Sequence, residues 1–220
     1  MERRKVLKVA AGTAAAMVGV AGAGYVVLDR IFNPKTPLAY AFPEINKGNG
    51  LLTATPECGE AATQTLPQTE GPYYSRNTPQ RNNLIEPDTV GIPLIIEGYV
   101  VDQQCKPVTG AVLDFWSCDG NGIYDNDGMK LRGHQFTDAN GYYRLDTVRP
   151  AFYEAGPFAI RTAHIHVKVQ GEKTALLTTQ LYFPNEQLNA EDSIFNPALL
   201  LTMLNEKSIP QQARFNFVLT

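Results

Sequence analysis

Short segments rich in β-branched and aromatic residues, each bounded by Gly, Pro, Asn or Asp, recur from residue 92 to the C-terminus. Such segments favour β-strands, and their close spacing is typical of a β-sandwich. We therefore expect an all-β fold, one antiparallel β-sandwich with little helix. The expected strands are residues 92–102, 110–118, 141–148, 163–170, 175–183 and 214–220, and the one helix-like stretch is residues 197–208.

One of these strands carries an unusual pair of residues. In RTAHIHVKV, residues 161–169, the two faces of a strand alternate, so His164 and His166 share one face. The opposite face is apolar and consists of Ala163, Ile165, Val167 and Val169. Two of the three histidines of the chain thus lie one residue apart on one face, where both imidazoles can reach one metal ion. The alternative is a pair of half-buried structural histidines.

The first 41 residues have the pattern of an export signal. MERRKVLK is basic, and residues 9–28 follow without a charge. Arg3-Arg4 before Val-Leu-Lys resembles a twin-arginine signal, with a plain Sec signal as the alternative. Residues 9–28 are also long enough to span a bilayer, so cleavage and retention as a membrane anchor both stay open. We expect an exported, periplasmic or otherwise extracytoplasmic protein.

Two further segments complete the expected organisation. Residues 42–68 are rich in Pro, Thr, Asn and Gly without a sustained period, which predicts a linker. Residues 69–220 form the expected sandwich domain. TEGPYY, at its start, is turn-rich, but its aromatic Tyr73 and Tyr74 predict that it packs on the domain.

The net charge bears on whether the protein binds nucleic acid, and the cysteines bear on whether it forms a disulfide. The chain has a net charge of −3 and residues 1–28 carry +3, so the remainder carries −6 and has no basic stripe. This excludes nucleic acid as an expected partner. Cys58, Cys105 and Cys118 allow one disulfide with one thiol left over, in any of three pairings, or three unpaired thiols.

Five ordered motifs between residues 69 and 183 resemble those of the intradiol ring-cleavage dioxygenases, the family of the catechol and protocatechuate dioxygenases. They are W-x-x-D-x-x-G-x-Y ending at Tyr124, R-G-x-x-x-T-D-x-x-G-x-Y ending at Tyr143, P-x-x-Y ending at Tyr153, R-x-x-H-I-H starting at Arg161, and T-Q-L-Y-F around Gln180. TEGPYY resembles the family's segment ahead of the sandwich.

The resemblance implies a site and a reaction. It implies that one mononuclear non-haem Fe(III) per chain is held by Tyr124, Tyr153, His164 and His166. It also implies that Tyr153 accepts a substrate proton, and that Arg161 and Gln180 lie beside the iron. The implied partners are a catechol-type molecule and O2, with ring cleavage between the two hydroxyl carbons to a muconate-type diacid.

Several alternatives remain open from the sequence. Arg161 has a loop salt bridge as its structural alternative, and Gln180 a cross-strand hydrogen bond. His134 has no metal role in the resemblance and is expected at the surface. For the whole chain the alternatives are a non-catalytic periplasmic binding module and a zinc metallo-hydrolase that uses the histidine pair. The oligomeric state, a homo-oligomer included, is open.

Overall fold

A computed structural model describes residues 63–156 and 159–220. The leader, residues 1–41, most of the linker and Cys58 lie outside the described residues. The predictions on export, membrane anchoring and signal cleavage therefore concern a part of the chain that is not described. In the described part, no helix is long and apolar enough to cross a membrane.

The described residues form eleven strands and two short 3₁₀ helices. The strands are β1 (Ile92–Asp102), β2 (Val112–Trp116), β3 (Arg132–Phe136), β4 (Tyr142–Arg149), β5 (Tyr153–Gly156), β6 (Ala159–Arg161), β7 (His164–Gln170), β8 (Leu177–Tyr182), β9 (Thr202–Asn205), β10 (Gln211–Arg214) and β11 (Phe217–Leu219). The 3₁₀ helices are Gln187–Ala190 and Pro197–Leu199. All six predicted strand regions are present, the last one as β11, whereas β3, β5, β6, β9 and nearly all of β10 were not predicted.

The first sheet is built around β1. β4 pairs antiparallel with one edge of β1, from Ile92 opposite Arg149 to Tyr99 opposite Tyr142. The other edge is shared by β10 and then β11, which both run parallel to β1. β9 extends the sheet beyond β10 as an antiparallel strand.

The second sheet has the strand order β3, β2, β7, β8, and all of its pairs are antiparallel. β5 and β6 form a separate two-stranded hairpin. Residues 65–68, placed in the linker by sequence, are hydrogen-bonded to the sheets. The Thr65 amide donates to Val218 O at 3.1 Å, and the Gln68 amide donates to Thr178 O at 2.8 Å.

Apolar side chains from both sheets fill one core, which makes the fold the expected sandwich. Among others, the core contains Leu94, Ile96 and Val100 of β1, Leu145 of β4, Phe115 of β2, and Leu177 and Leu181 of β8. The predicted apolar face of the histidine strand is confirmed, because Ala163, Ile165, Val167 and Val169 all lie in this core. The two histidines therefore point away from the core.

Both β10 and β11 pair with the same edge of β1, and Gly98 leaves room for the bend between them. Between β10 and β11 the chain bends at Phe215, whose amide donates to Glu97 O at 3.1 Å. The Asn216 side chain accepts from the Tyr99 amide at 3.0 Å. A Cβ on Gly98 would lie 1.8 Å from Phe215 O, so no larger residue fits there without displacing the bend.

The predicted helix at residues 197–208 is wrong. Only Pro197–Leu199 is helical, as one 3₁₀ turn, and Thr202–Asn205 is strand β9. Leu199 and Leu201 are buried and Met203 packs against the core, which is the two-residue period of a strand. The Leu201 amide donates to Tyr182 O at 2.8 Å. Tertiary packing thus decides against the helix that the leucine-rich composition favours.

The described cysteines agree with one disulfide and one leftover thiol. Cys105 is disulfide-bonded, and Cys118 is a buried free thiol. A bridge between Cys105 and Cys118 is thereby excluded.

Candidate active site

The outward face of the second sheet is polar and carries the candidate site. Register places Trp116 of β2 opposite His166 of β7, which in turn lies opposite Gln180 of β8. His164 lies opposite Tyr182 in the next row. Side chains directly opposite one another share a face of the sheet, so these five side chains form one buried polar and aromatic surface.

His164 is held in a single tautomer. Its Nδ1 lies 2.6 Å from Thr162 O, and a carbonyl oxygen only accepts, so Nδ1 carries the proton. The lone pair is then on Nε2, which points toward His166. Burial, and secondarily the Arg161 guanidinium, lower the pKa of His164 to about 4. His164 is therefore a neutral donor at physiological pH.

His166 converges on the same point. Its Nε2 lies 3.1 Å from His164 Nε2, while its Nδ1 makes no hydrogen bond with any described residue. Its ring stacks on Trp116 with a centroid distance of 4.7 Å and an angle of 7°. Burial, followed by the neighbouring His164, lowers the pKa of His166 well below its usual range. Two neutral imidazoles thus bring their Nε2 atoms together in a buried site.

Tyr124 follows the loop after β2 and is almost fully buried beside Trp116 and Cys118. Its ring stacks on Tyr73 at 4.1 Å. Its hydroxyl is buried and lies near that of Tyr153, but it makes no hydrogen bond of normal geometry among the described residues. Burial, and secondarily the nearby Tyr153, raises the pKa of Tyr124 well above its usual range. A buried hydroxyl without a partner is rare in native folds and suggests an atom that binds something else.

Tyr153 starts the β5–β6 hairpin and is half-buried. Its ring centroid lies 5.5 Å from that of Tyr124 and 5.7 Å from that of His164. Register places it opposite Arg161. Burial raises the pKa of Tyr153, but the Arg161 guanidinium opposes that rise. Tyr153 is more exposed than Tyr124 and lies directly opposite the Arg161 cation.

Arg161 and Gln180 form a buried network next to these rings. The Arg161 guanidinium donates through Nε to Asp192 Oδ2 at 3.0 Å and through an Nη to Gln180 Oε1. Gln180 Nε2 donates to Thr69 O at 2.9 Å. The loop salt bridge considered for Arg161 is therefore present, and it does not keep the arginine from the site. The Gln180 side chain is hydrogen-bonded to Arg161, Thr69 and Tyr182. It does not form the cross-strand hydrogen bond to β7 that the sequence left open.

Residues 69–78 pack over this face, as the aromatics of TEGPYY predicted. Tyr74 donates its hydroxyl to Asp114 at 3.0 Å. Tyr73 O accepts from the guanidinium of the buried Arg132 at 2.9 Å. Gly71 has φ +69°, and a Cβ there would lie 3.5 Å from His166 Cε1. The segment therefore forms one wall of the site.

The four ring side chains that the sequence resemblance picked out form a closed circuit. Centroid distances are 5.5 Å from Tyr124 to Tyr153, 5.7 Å from Tyr153 to His164, 4.7 Å from His164 to His166 and 6.5 Å from His166 to Tyr124. No three His, Cys, Asp or Glu side chains cluster anywhere in the described ranges. A metal ion here would take two imidazole nitrogens together with two phenol oxygens, and the partnerless Tyr124 hydroxyl fits such a donor set.

His134 lies on the same face but outside this circuit. It is half-buried on β3, and its Nδ1 lies 2.9 Å from Thr78 O. His134 is thus less exposed than the expected surface residue, and its lack of a metal role stays a prediction.

Sequence reasoning missed three residues of the site. Trp116 was not singled out as a site residue apart from its place in a motif, whereas it stacks on His166. Tyr73 was expected only to pack, whereas it stacks on Tyr124. Asp192 was not singled out, since an isolated acidic residue in a loop carries no pattern. The W-x-x-D-x-x-G-x-Y motif, which begins at Trp116, was the one available signal.

Comparison with known proteins identifies related sequences. A family model described as Dioxygenase matches residues 69–220. The beta chain of protocatechuate 3,4-dioxygenase from Burkholderia cepacia is 33% identical over 128 residues, which cover 52% of this chain and 54% of that protein. The chain spans about half the length of the curated relatives it matches.

Solved structures are similar over the same region. The dioxygenase domain of a dioxygenase carbohydrate-binding protein fusion from Streptomyces sp. SirexAA-E is 45% identical, with a TM-score of 0.65, and the match covers 71% of this chain and 97% of that one. The 3-chlorocatechol 1,2-dioxygenase from Rhodococcus opacus 1CP is 31% identical, with a TM-score of 0.66 and coverage of 70% and 71%.

Proposed function

Since the chain belongs to the intradiol ring-cleavage dioxygenase family, we propose that it cleaves a catechol-type ring between the two hydroxyl-bearing carbons. Both atoms of O2 enter the product, a cis,cis-muconate-type diacid. The observation that carries the proposal is the closed circuit of two tyrosines and two neutral histidines at the site.

The donor set suits a ferric ion. We propose that Tyr124, Tyr153, His164 and His166 hold one Fe(III) per chain. Phenolate oxygens are hard anionic donors that favour the ferric over the ferrous state, unlike the two histidines and one carboxylate of Fe(II) oxygenases. Bound Fe(III) would supply a Lewis acid that binds the catechol oxygens and makes the ring reactive toward O2.

The two tyrosines are suited to different tasks. As the phenolate that would bind Fe(III), Tyr153 would accept a proton from a catechol hydroxyl through Oη. It is half-buried on a short hairpin and lies beside Arg161. Tyr124 is packed between Tyr73 and the Trp116 cluster and stays in place. A side chain on a hairpin moves with less loss of packing than one in a buried aromatic cluster.

Arg161 supplies positive charge next to the reacting ring. Its guanidinium is fixed by Asp192 and Gln180, so it needs no reorganisation as negative charge develops on the substrate. Both histidine rings are almost fully buried. The wall formed by residues 69–78 and the stacked Trp116 therefore keep water from them.

The alternatives have less support. A zinc hydrolase would use the histidine pair but leaves the two tyrosines without a role. A non-catalytic binding module leaves the neutral histidine pair and the partnerless Tyr124 hydroxyl without a role.

The test combines metal analysis with oxygen uptake. Protein made with iron available should contain about one iron per chain and show a visible phenolate-to-iron absorption band. It should consume one O2 per ring cleaved across a panel of catechols. Stoichiometric zinc without a visible band would support the hydrolase, and a band without oxygen uptake would support the binding module.

A further inference from the structure

The buried carboxylate of Asp192 is hydrogen-bonded both to Arg161 and to the backbone beside His164. Asp192 follows the 3₁₀ helix Gln187–Ala190, and its side chain has 0% exposure. Its Oδ2 accepts from Arg161 Nε at 3.0 Å and from the Thr162 amide at 3.1 Å. Its Oδ1 accepts from the Ile194 amide at 3.1 Å. Three donors thus converge on one carboxylate.

Thr162 connects this carboxylate to a histidine. Its amide donates to Asp192, its hydroxyl donates to Asn189 Oδ1 at 2.9 Å, and its carbonyl accepts from His164 Nδ1 at 2.6 Å. The bonds to the amide and the hydroxyl anchor Thr162 next to the carbonyl that contacts His164. The direction of that carbonyl in turn determines which nitrogen of His164 carries the proton.

We propose that Asp192 is a positioning residue that aims the Arg161 guanidinium at the substrate and holds His164 in the tautomer with a free Nε2. Its hydrogen bonds go to Arg161, Thr162 and Ile194, and none goes to the four rings. The Arg161 half of this inference rests on the proposed function. The His164 half concerns the protein without any metal.

The chemistry of the site requires a carboxylate at this position. All three contacting groups are N–H donors, and a carboxylate has acceptors only. Asparagine has the same size but presents an NH2 group, so at least one of the donors would face another donor. It would also leave the buried Arg161 without its counter-charge.

The first experiment compares two matched substitutions in the full chain. Asp192→Asn should lower kcat about 10–100-fold with KM changed less than about threefold, the range typical of residues that orient a metal site. Asp146→Asn is the control, since Asp146 is also buried and bonded to an arginine, at 2.8 Å from Arg144 Nε, but lies on the other sheet. It should leave kcat unchanged.

A double-mutant cycle tests the route through Arg161. In an Arg161→Met background, Asp192→Asn should lower kcat by a smaller factor than in the wild type, because one of the two groups that Asp192 positions is gone. An equal loss in both backgrounds would overturn this half of the proposal. So would an Asp192→Asn enzyme with wild-type kcat.

The second experiment reads the tautomer without iron or turnover. The chain has three histidines, so long-range ¹H–¹⁵N spectra of the iron-free protein resolve each ring. Wild-type His164 should be protonated on Nδ1 alone, and Asp192→Asn should give a mixture at His164 while His134 is unchanged. An unaltered His164 signal in the variant would overturn this half.

The two failures are distinguishable. A wild-type protein without iron or oxygen uptake would contradict the proposed function, and the nitrogen spectra would still test the contact to His164. If Asp192→Asn does not fold, Asp192→Glu keeps an acceptor-only side chain and should retain the His164 tautomer. A tautomer mixture in a folded Asp192→Glu protein would count against the proposal.

Discussion

Two histidines on one face of the second sheet have opposite surroundings. His164 Nδ1 is bonded to Thr162 O, and its Nε2 faces another imidazole in a buried site. His134 Nδ1 is bonded to Thr78 O, and its ring is half-buried beside the exposed Phe136. Residue type alone therefore does not define a ligand. What distinguishes His164 is a fixed tautomer, in which the unprotonated Nε2 points toward the other candidate metal ligands.

Replacing each of these histidines tests that distinction. His164→Ala should lose bound iron and the visible band, because one of the two nitrogen donors is gone. His134→Ala should keep both and change activity less than about twofold, as expected for a residue outside the site. Iron content and absorption of the purified variants give the measurement. Equal iron loss in the two variants would contradict the ligand assignment.

The two tyrosines should separate in the kinetics of substrate binding. Tyr153→Phe should retain iron but bind catechol slowly, because the proton acceptor is missing. Tyr124→Phe should instead alter the spectrum of the substrate complex, because the phenolate that stays in place in the wild type is missing. Anaerobic stopped-flow mixing with catechol measures both. A slow Tyr124→Phe and a normal Tyr153→Phe would reverse the assigned roles.

Individual residues were predictable from sequence only where a motif or a period marks them. The order of the motifs singled out Tyr124, Tyr153, His164 and His166, and the structure places these four rings together. Asp192 lies 31 positions from Arg161 and is one of 22 acidic residues, so no local pattern marks it. Its role depends on a contact that only the folded chain makes.

At the scale of elements, strands with one apolar face were predictable and the others were not. β7 alternates cleanly and was assigned with its two faces correct. β3 has the sequence RGHQF, in which Arg132 and His134 face the polar side while Gly133 and Gln135 face inward. No apolar period exists in it to detect. β9 was obscured because the run of leucines directly before it also fits a helix.

The glycine between the two parallel partners of β1 provides a test of this arrangement. Gly98→Ala should destabilise the protein by about 2–3 kcal/mol, because the added methyl group would lie 1.8 Å from Phe215 O. Gly156→Ala is the control, since nothing lies within 4 Å of a Cβ there, and it should change stability by less than about 0.5 kcal/mol. Urea unfolding measures both, and equal midpoints for the two variants would contradict the register of β1.

At the scale of the whole molecule, the two faces of the second sheet serve different purposes. The inner face packs against the first sheet, and the outer face carries the site under residues 69–78. The wall of the site is therefore the part of the domain that directly follows the linker. A chain whose site closes in this way must fold residues 65–78 onto the sheets before its substrate site is complete.

The route of export is the prediction that concerns the chain as a whole. Arg3 and Arg4 precede Val-Leu-Lys and an uncharged run, and we propose that this leader directs the protein out of the cytoplasm by the twin-arginine route. That route carries folded proteins, which suits a chain whose site is complete only after folding. Arg3→Lys with Arg4→Lys keeps the charge that a Sec signal requires, so it should trap the protein inside the cell only if the arginines themselves are recognised. Lys8→Arg, a charge-preserving change outside the pair, should leave export intact. Cell fractionation of the three proteins decides the matter: unchanged export of the double variant would favour the Sec signal.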